Sequence, residues 1–67
     1  MSVAKVMEIT SSSSKSFEDA LQSGISRAAK TLKNVQSAWI QDHEVAVQDG
    51  KITEYRVRMK ITFILND

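Results

Sequence analysis

Two adjacent residues, Asp49 and Gly50, constrain this chain more than any other feature. They lie between two long segments, Val35 to Val47 and Ile52 to Leu65, in which apolar and polar residues largely alternate. Asp-Gly in that setting predicts a two-residue hairpin turn, because both central positions of the favoured turn need positive φ. A tight turn also sets the register. Gln48 is expected opposite Lys51 and Val47 opposite Ile52. An uninterrupted count then sets His43 against Arg56, Gln41 against Arg58, Trp39 against Lys60 and Ser37 against Thr62.

Opposed residues share one side of a sheet, so this register predicts two unlike faces. Ala38 and Ile40 fall with Tyr55, Val57, Met59, Ile61, Phe63 and Leu65 on a nearly all-apolar face. Ser37, Trp39, Gln41 and His43 fall with Glu54, Arg56, Arg58 and Lys60 on the other, with Val45 and Val47 toward the turn. Asp42 and Glu44 are expected on the apolar parity, as rim charges.

The helix that covers the apolar face is legible upstream. Phe17, Ala20, Leu21, Gly24, Ile25, Ala28 and Leu32 recur at three- and four-residue steps and form one stripe, predicting a helix over Phe17 to Lys33. Ser14 or Ser16 caps its free N–H groups. Glu18 and Asp19 suit its positive end, and Arg27, Lys30 and Lys33 its negative end. Asn34 is a suitable stop because Asn tolerates the left-handed conformation. Gly24 lowers helix stability by about 1 kcal/mol relative to Ala. Either a close approach to the sheet or plain tolerance accounts for it. Val3 to Thr10 reads as a first strand, and Ser11 to Ser14 as a loop leading into the helix. The order strand, helix, strand, strand makes this an α+β chain with one three-stranded sheet.

Size then bears on assembly. A lone domain of 67 residues buries only about 60% of the surface its unfolded chain exposes. Disulfides, a metal or oligomerisation usually supplement so small a core. With 0 Cys and 1 His, disulfides and a thiolate or His-rich metal site are excluded, leaving oligomerisation. Two readings of the Trp39 face stay open: a solvated charged surface, or a face covered by a neighbouring subunit with pockets lined by Trp, Gln, His and Arg.

The formal charge of +1 gives no global pull toward nucleic acid or membrane. No apolar run approaches the roughly 20 residues that span a bilayer, and the first residues lack the apolar core of a signal peptide, so a cytoplasmic protein is expected. There is no Gly-rich phosphate loop, since Gly24 and Gly50 are the only glycines. His43 has no positioned partner legible from spacing and reads as a surface cross-strand residue rather than a catalytic base, and a paired-carboxylate site has no support in the spacing. The row Arg56, Arg58, Lys60 suits a phosphate on a small ligand as well as it suits nucleic acid.

Several segments in order carry a resemblance: Lys5-Val-Met-Glu-Ile9, the serine-rich turn, Ser16-Phe-Glu-Asp-Ala20, Ala28-Ala-Lys-Thr31, Asp49-Gly-Lys51, Glu54-Tyr55 and Lys60-Ile-Thr-Phe63. Together they resemble the dodecins over nearly the whole chain, and a single dodecin-like domain is expected over 1–67. The resemblance implies a β-α-β-β protomer, its three-stranded antiparallel sheet wrapped around one helix, assembled as a hollow homododecamer. It also implies non-catalytic binding of a flavin, FMN or riboflavin, for storage or protection. The family's flavin-stacking Trp falls at Ser37, its flavin-bonding Gln after Glu-Tyr at Arg56, and an Arg that some members use for coenzyme A at Glu44. Trp39 lies two residues from Ser37 on the expected same face. The flavin-site residues expected are therefore Trp39, Ser37, Gln41, Arg56 and Arg58. Val35-Gln-Ser-Ala-Trp-Ile40 also resembles a subgroup without the stacking Trp, described as calcium-binding, which makes a cation-holding shell the alternative. A plain assembly protein is the third reading.

Overall fold

A computed structural model describes residues 3–65; the two positions at each end of the expected 1–67 domain lie outside the described residues. The elements are β1 (Val3–Ser13), α1 (Phe17–Thr31), β2 (Val35–Gln48) and β3 (Lys51–Leu65). β3 is central in the order β1-β3-β2, and both of its pairings are antiparallel. No helix of the described residues is long and apolar enough to cross a membrane.

Local chemistry accounts for the boundaries. Asp49 and Gly50 take φ of 53° and 75°, as the hairpin requires. Ser16, in an extended conformation, caps α1 by accepting a 3.0 Å hydrogen bond from the Asp19 backbone N–H. The helix stops two residues before the expected Lys33. Leu32 leaves the helical conformation while its N–H still bonds Ala28 O, and Asn34 follows with φ of 61°. β1 runs three residues past the expected Thr10, because Ser11, Ser12 and Ser13 pair with Val57, Arg56 and Tyr55. A serine run reads as a loop by composition; a waiting central strand makes it a strand, since strand propensity yields to tertiary context.

The core lies between α1 and β3. Ala20, Val57, Met59 and Ile61 are fully buried, with Phe63 and Ala28 nearly so. Ala20, Gly24 and Ala28 are small residues at four-residue steps, and they let the helix axis approach the sheet closely. A Cβ at Gly24 would lie 2.9 Å from Ser11 Cβ and 2.8 Å from Met59 Cε, so close approach rather than tolerance explains this glycine. Phe17 stacks on His43 at 4.5 Å and meets Tyr55 edge-on at 5.1 Å, closing the N-terminal end of the core.

The hairpin register departs from a simple count in its middle and rejoins it further on. Val47 opposes Ile52, but Ala46 opposes Glu54, leaving Thr53 as an extra residue in β3. From there to Asp42 the pairing is shifted: Val45 opposes Tyr55, Glu44 opposes Arg56, His43 opposes Val57 and Asp42 opposes Arg58. Gln41 is then the extra residue in β2, and the count is restored at Ile40–Met59, Trp39–Lys60 and Ser37–Thr62. Two bulges, one in each strand, cancel. A third irregularity, at Gln36, separates Val35–Phe63 from Ser37–Thr62.

The protomer is elongated, 51 × 19 × 13 Å. Its radius of gyration is 13.8 Å, against about 11 Å for a compact domain of this length. Val3, Val6, Met7, Trp39, Ile40, Val47, Ile52 and Leu65 stay exposed. One helix of 15 residues is too short to cover a hairpin whose strands run 14 and 15 residues, so apolar surface stays uncovered within the chain.

Candidate ligand-binding face

The face of the sheet away from α1 is built by alternate residues of all three strands. Along β3 it presents Thr62, Lys60, Arg58, Arg56 and Glu54, and β1 contributes Glu8, Thr10 and Ser12 opposite Lys60, Arg58 and Arg56. Trp39 and Ser37 reach it from β2, opposite Lys60 and Thr62 as expected. Trp39 is 56% exposed. The Lys60 ammonium stands 5.4 Å from the centre of its ring, a cation–π arrangement.

The bulges change the rest of the expected site. His43 does not face Arg56; it opposes Val57 and stacks on Phe17, on the helix side. Gln41 does not face Arg58, being the extra residue of the β2 bulge, between Ile40 and Asp42. Val45 opposes Tyr55, and strand alternation carries Val47 to the helix side with it, so neither belongs to the Trp39 face. Asp42 and Glu44, expected on the apolar parity, stand instead directly opposite Arg58 and Arg56.

The consequence is an ion-pair lattice. Arg56 lies 3.5 Å from Glu44 and 3.2 Å from Glu54; Arg58 lies 3.4 Å from Asp42 and 3.3 Å from Glu44. Glu44 is thus shared by both guanidinium groups. The Ser12 hydroxyl and then Arg56 hold the Glu54 carboxyl below its ordinary range, and Glu54 in turn pushes the Arg56 guanidinium up. Such half-exposed pairs add little stability individually. Their effect is to hold the two arginines in fixed positions and to cancel their charge.

The Trp39 face is open. Two grooves of the protomer lie elsewhere, one between α1 and β1 by Met7, Gly24 and Ala28, the other below the helix end by Lys33, Asn34 and Ile64. Among the described residues no three His, Cys, Asp or Glu side chains converge as metal ligands would. Of the expected residues, the structure places Trp39, Ser37, Arg56 and Arg58 on one face and sets Gln41 in the bulge. It adds Lys60, Asp42, Glu44 and Glu54. A signal for Asp42 and Glu44 existed in the sequence: the apolar residues are even-numbered at Ala38 and Ile40 and odd-numbered at Val45 and Val47. A phase change of that kind within one strand marks a bulge.

Comparison with known proteins agrees with this architecture. The family model for dodecin matches residues 3–66. The calcium dodecin of Mycobacterium tuberculosis is 34% identical over 64 residues, covering 94% of this chain and 89% of that protein. Among solved structures, the Streptomyces davaonensis dodecin superimposes with a TM-score of 0.93 at 29% identity, over 98% of this chain and 97% of that one. A Thermus thermophilus dodecin variant gives 0.95 at 25% identity, covering 100% of both. The crystal structure of the calcium dodecin from Mycobacterium tuberculosis, described as a calcium chelating antigen, gives 0.83 at 29% identity over 96% of this chain and 91% of that one.

Proposed function

This chain belongs to the dodecin family, and on that premise we propose that it is a non-catalytic flavin-binding protein that seats FMN or riboflavin against Trp39 within a homododecameric shell. The observation that carries the reading is Trp39 itself: a large aromatic ring, over half exposed, on the sheet face that no element of its own protomer covers. A flat ring presented this way is a stacking platform for a planar heterocycle. Ser37 and Thr62 are the neighbouring polar groups along the strands, and Lys60 contacts the ring from its own side of the sheet. Because the face is open, a second copy of the chain has to complete the site, which ties binding to assembly.

Trp39→Ala should weaken flavin binding by at least about 1 kcal/mol, the lower end for an aromatic ring stacked on a planar base. A flavin-fluorescence quenching titration of both proteins measures this, and equal affinities would remove Trp39 from the site. The assembly is tested separately. The elongated protomer and its exposed apolar residues lead to a single large species in sedimentation at micromolar concentration. A boundary at the mass of one chain would overturn the shell.

A cation-holding shell is the second reading, favoured by the relative named calcium dodecin and by the carboxylates of Asp42, Glu44 and Glu54 on one face. Each of those carboxylates is paired to an arginine, so a cation here needs donors from a second copy. Calorimetric titration with calcium, together with silence toward both flavins, would establish this reading over the first.

A further inference from the structure

Resting on the flavin reading, we propose that this face selects the uncharged flavin: riboflavin binds in preference to FMN, and Glu44 is the residue that sets the preference. Every cation of the face already has a partner. Arg56 is held by Glu44 and Glu54, Arg58 by Asp42 and Glu44, and Lys60 lies over the Trp39 ring. Two guanidinium groups share three carboxylates, so with Lys60 counted the row that looks cationic in the sequence carries no net positive charge.

A phosphate monoester near pH 7 brings a charge between roughly −1.5 and −2. Seated along this row, it has to pull an arginine from a carboxylate it already satisfies, and it meets Asp42, Glu44 and Glu54 at close range. Riboflavin, with the same ring and no phosphate, meets neither cost. The cause is the pair of bulges. With Thr53 and Gln41 in regular pairing, His43 and Gln41 would face the arginines, leaving Arg58 free for an anion and Arg56 with Glu54 alone. Glu44 is the pivot because it alone contacts both arginines.

The test titrates wild-type protein and Glu44→Gln with riboflavin and with FMN at low salt. Wild type is expected to bind riboflavin about threefold or more tightly than FMN, a factor in keeping with the strength of exposed charge pairs. Glu44→Gln should strengthen FMN binding more than riboflavin binding, raising the FMN-to-riboflavin affinity ratio, and added salt should reduce the difference between the two proteins. Tighter FMN binding by wild type, or an unchanged FMN-to-riboflavin ratio in Glu44→Gln, would overturn the inference while leaving the flavin reading in place. If neither flavin binds, the flavin reading fails, and pyrophosphate decides the arginine row directly. Pyrophosphate broadening its phosphorus resonance with Glu44→Gln and not with wild type supports the neutralised row; broadening with wild type, or with neither protein, overturns it.

Discussion

Ile61→Ala is expected to destabilise the protein by about 2–5 kcal/mol, the range for truncating a fully buried aliphatic side chain. Ile61 has no exposed surface, lies on central β3 and is held between Met7 of β1 and Ala38 of β2 in the ladder. Few residues share the load. Among the described residues the buried apolar set is Ala20, Ala28, Val57, Met59, Ile61 and Phe63, so Ile61 is one of its few large members. Denaturant unfolding at fixed protein concentration measures the loss, with concentration held constant because any association of folded chains adds stability by mass action. Thr62→Ala, the next residue on the opposite face, is the control and should lie within about 0.5 kcal/mol of wild type. A loss near zero for Ile61→Ala, or the larger loss at Thr62, would mean that the faces are reversed.

Gly24→Val should cost about 1–3 kcal/mol, although valine is a slightly better helix former than glycine. The deciding quantity is space. The first side-chain carbon at this position already meets Ser11 Cβ at 2.9 Å and Met59 Cε at 2.8 Å. The methionine end can swing away; the serine Cβ is fixed to a strand paired with Val57, so the helix has to back off and loosen its contact with β3. Removing the Ser11 side chain tests the mechanism. In a Ser11→Gly background the Gly24→Val penalty should shrink markedly, giving a coupling between the two sites by double-mutant cycle. Additive losses would show that Gly24 is conserving something other than the distance between α1 and β1.

Ile61 lies on a face that the sequence marked correctly; Gly24 lies on the helix stripe that it marked, with the reason for the glycine left open. The apolar parity Tyr55, Val57, Met59, Ile61, Phe63 was readable because β3 is central and keeps one buried face along most of its length. The stripe of α1, a serine cap (Ser14 or Ser16 by sequence, Ser16 in the structure), the left-handed Asn34 just beyond the helix and the Asp49-Gly50 turn were readable because each depends on the local conformational preferences of one or two residues. Trp39 and Ser37 were placed on the correct face by a count that was wrong in its middle. The extra residues at Thr53 and Gln41 offset each other, so the error never reached them.

The sequence by itself determined the element order, the hairpin turn, the buried side of β3 and the exposed Trp39, because all of these follow from local backbone preference and from period-two or period-3.6 patterning. Only the tertiary structure decided three things: that the Ser11–Ser13 run is strand, that Gly24 is a point of contact, and that Asp42 and Glu44 rather than Gln41 and His43 face the arginines. A bulge adds one residue to one strand of a pair, so its effect exists only in relation to the partner strand. Shifting register by a single residue exchanges the two faces of a strand. The charge around the Arg56–Arg58 row is therefore set by pairing across the sheet and not by any residue read alone.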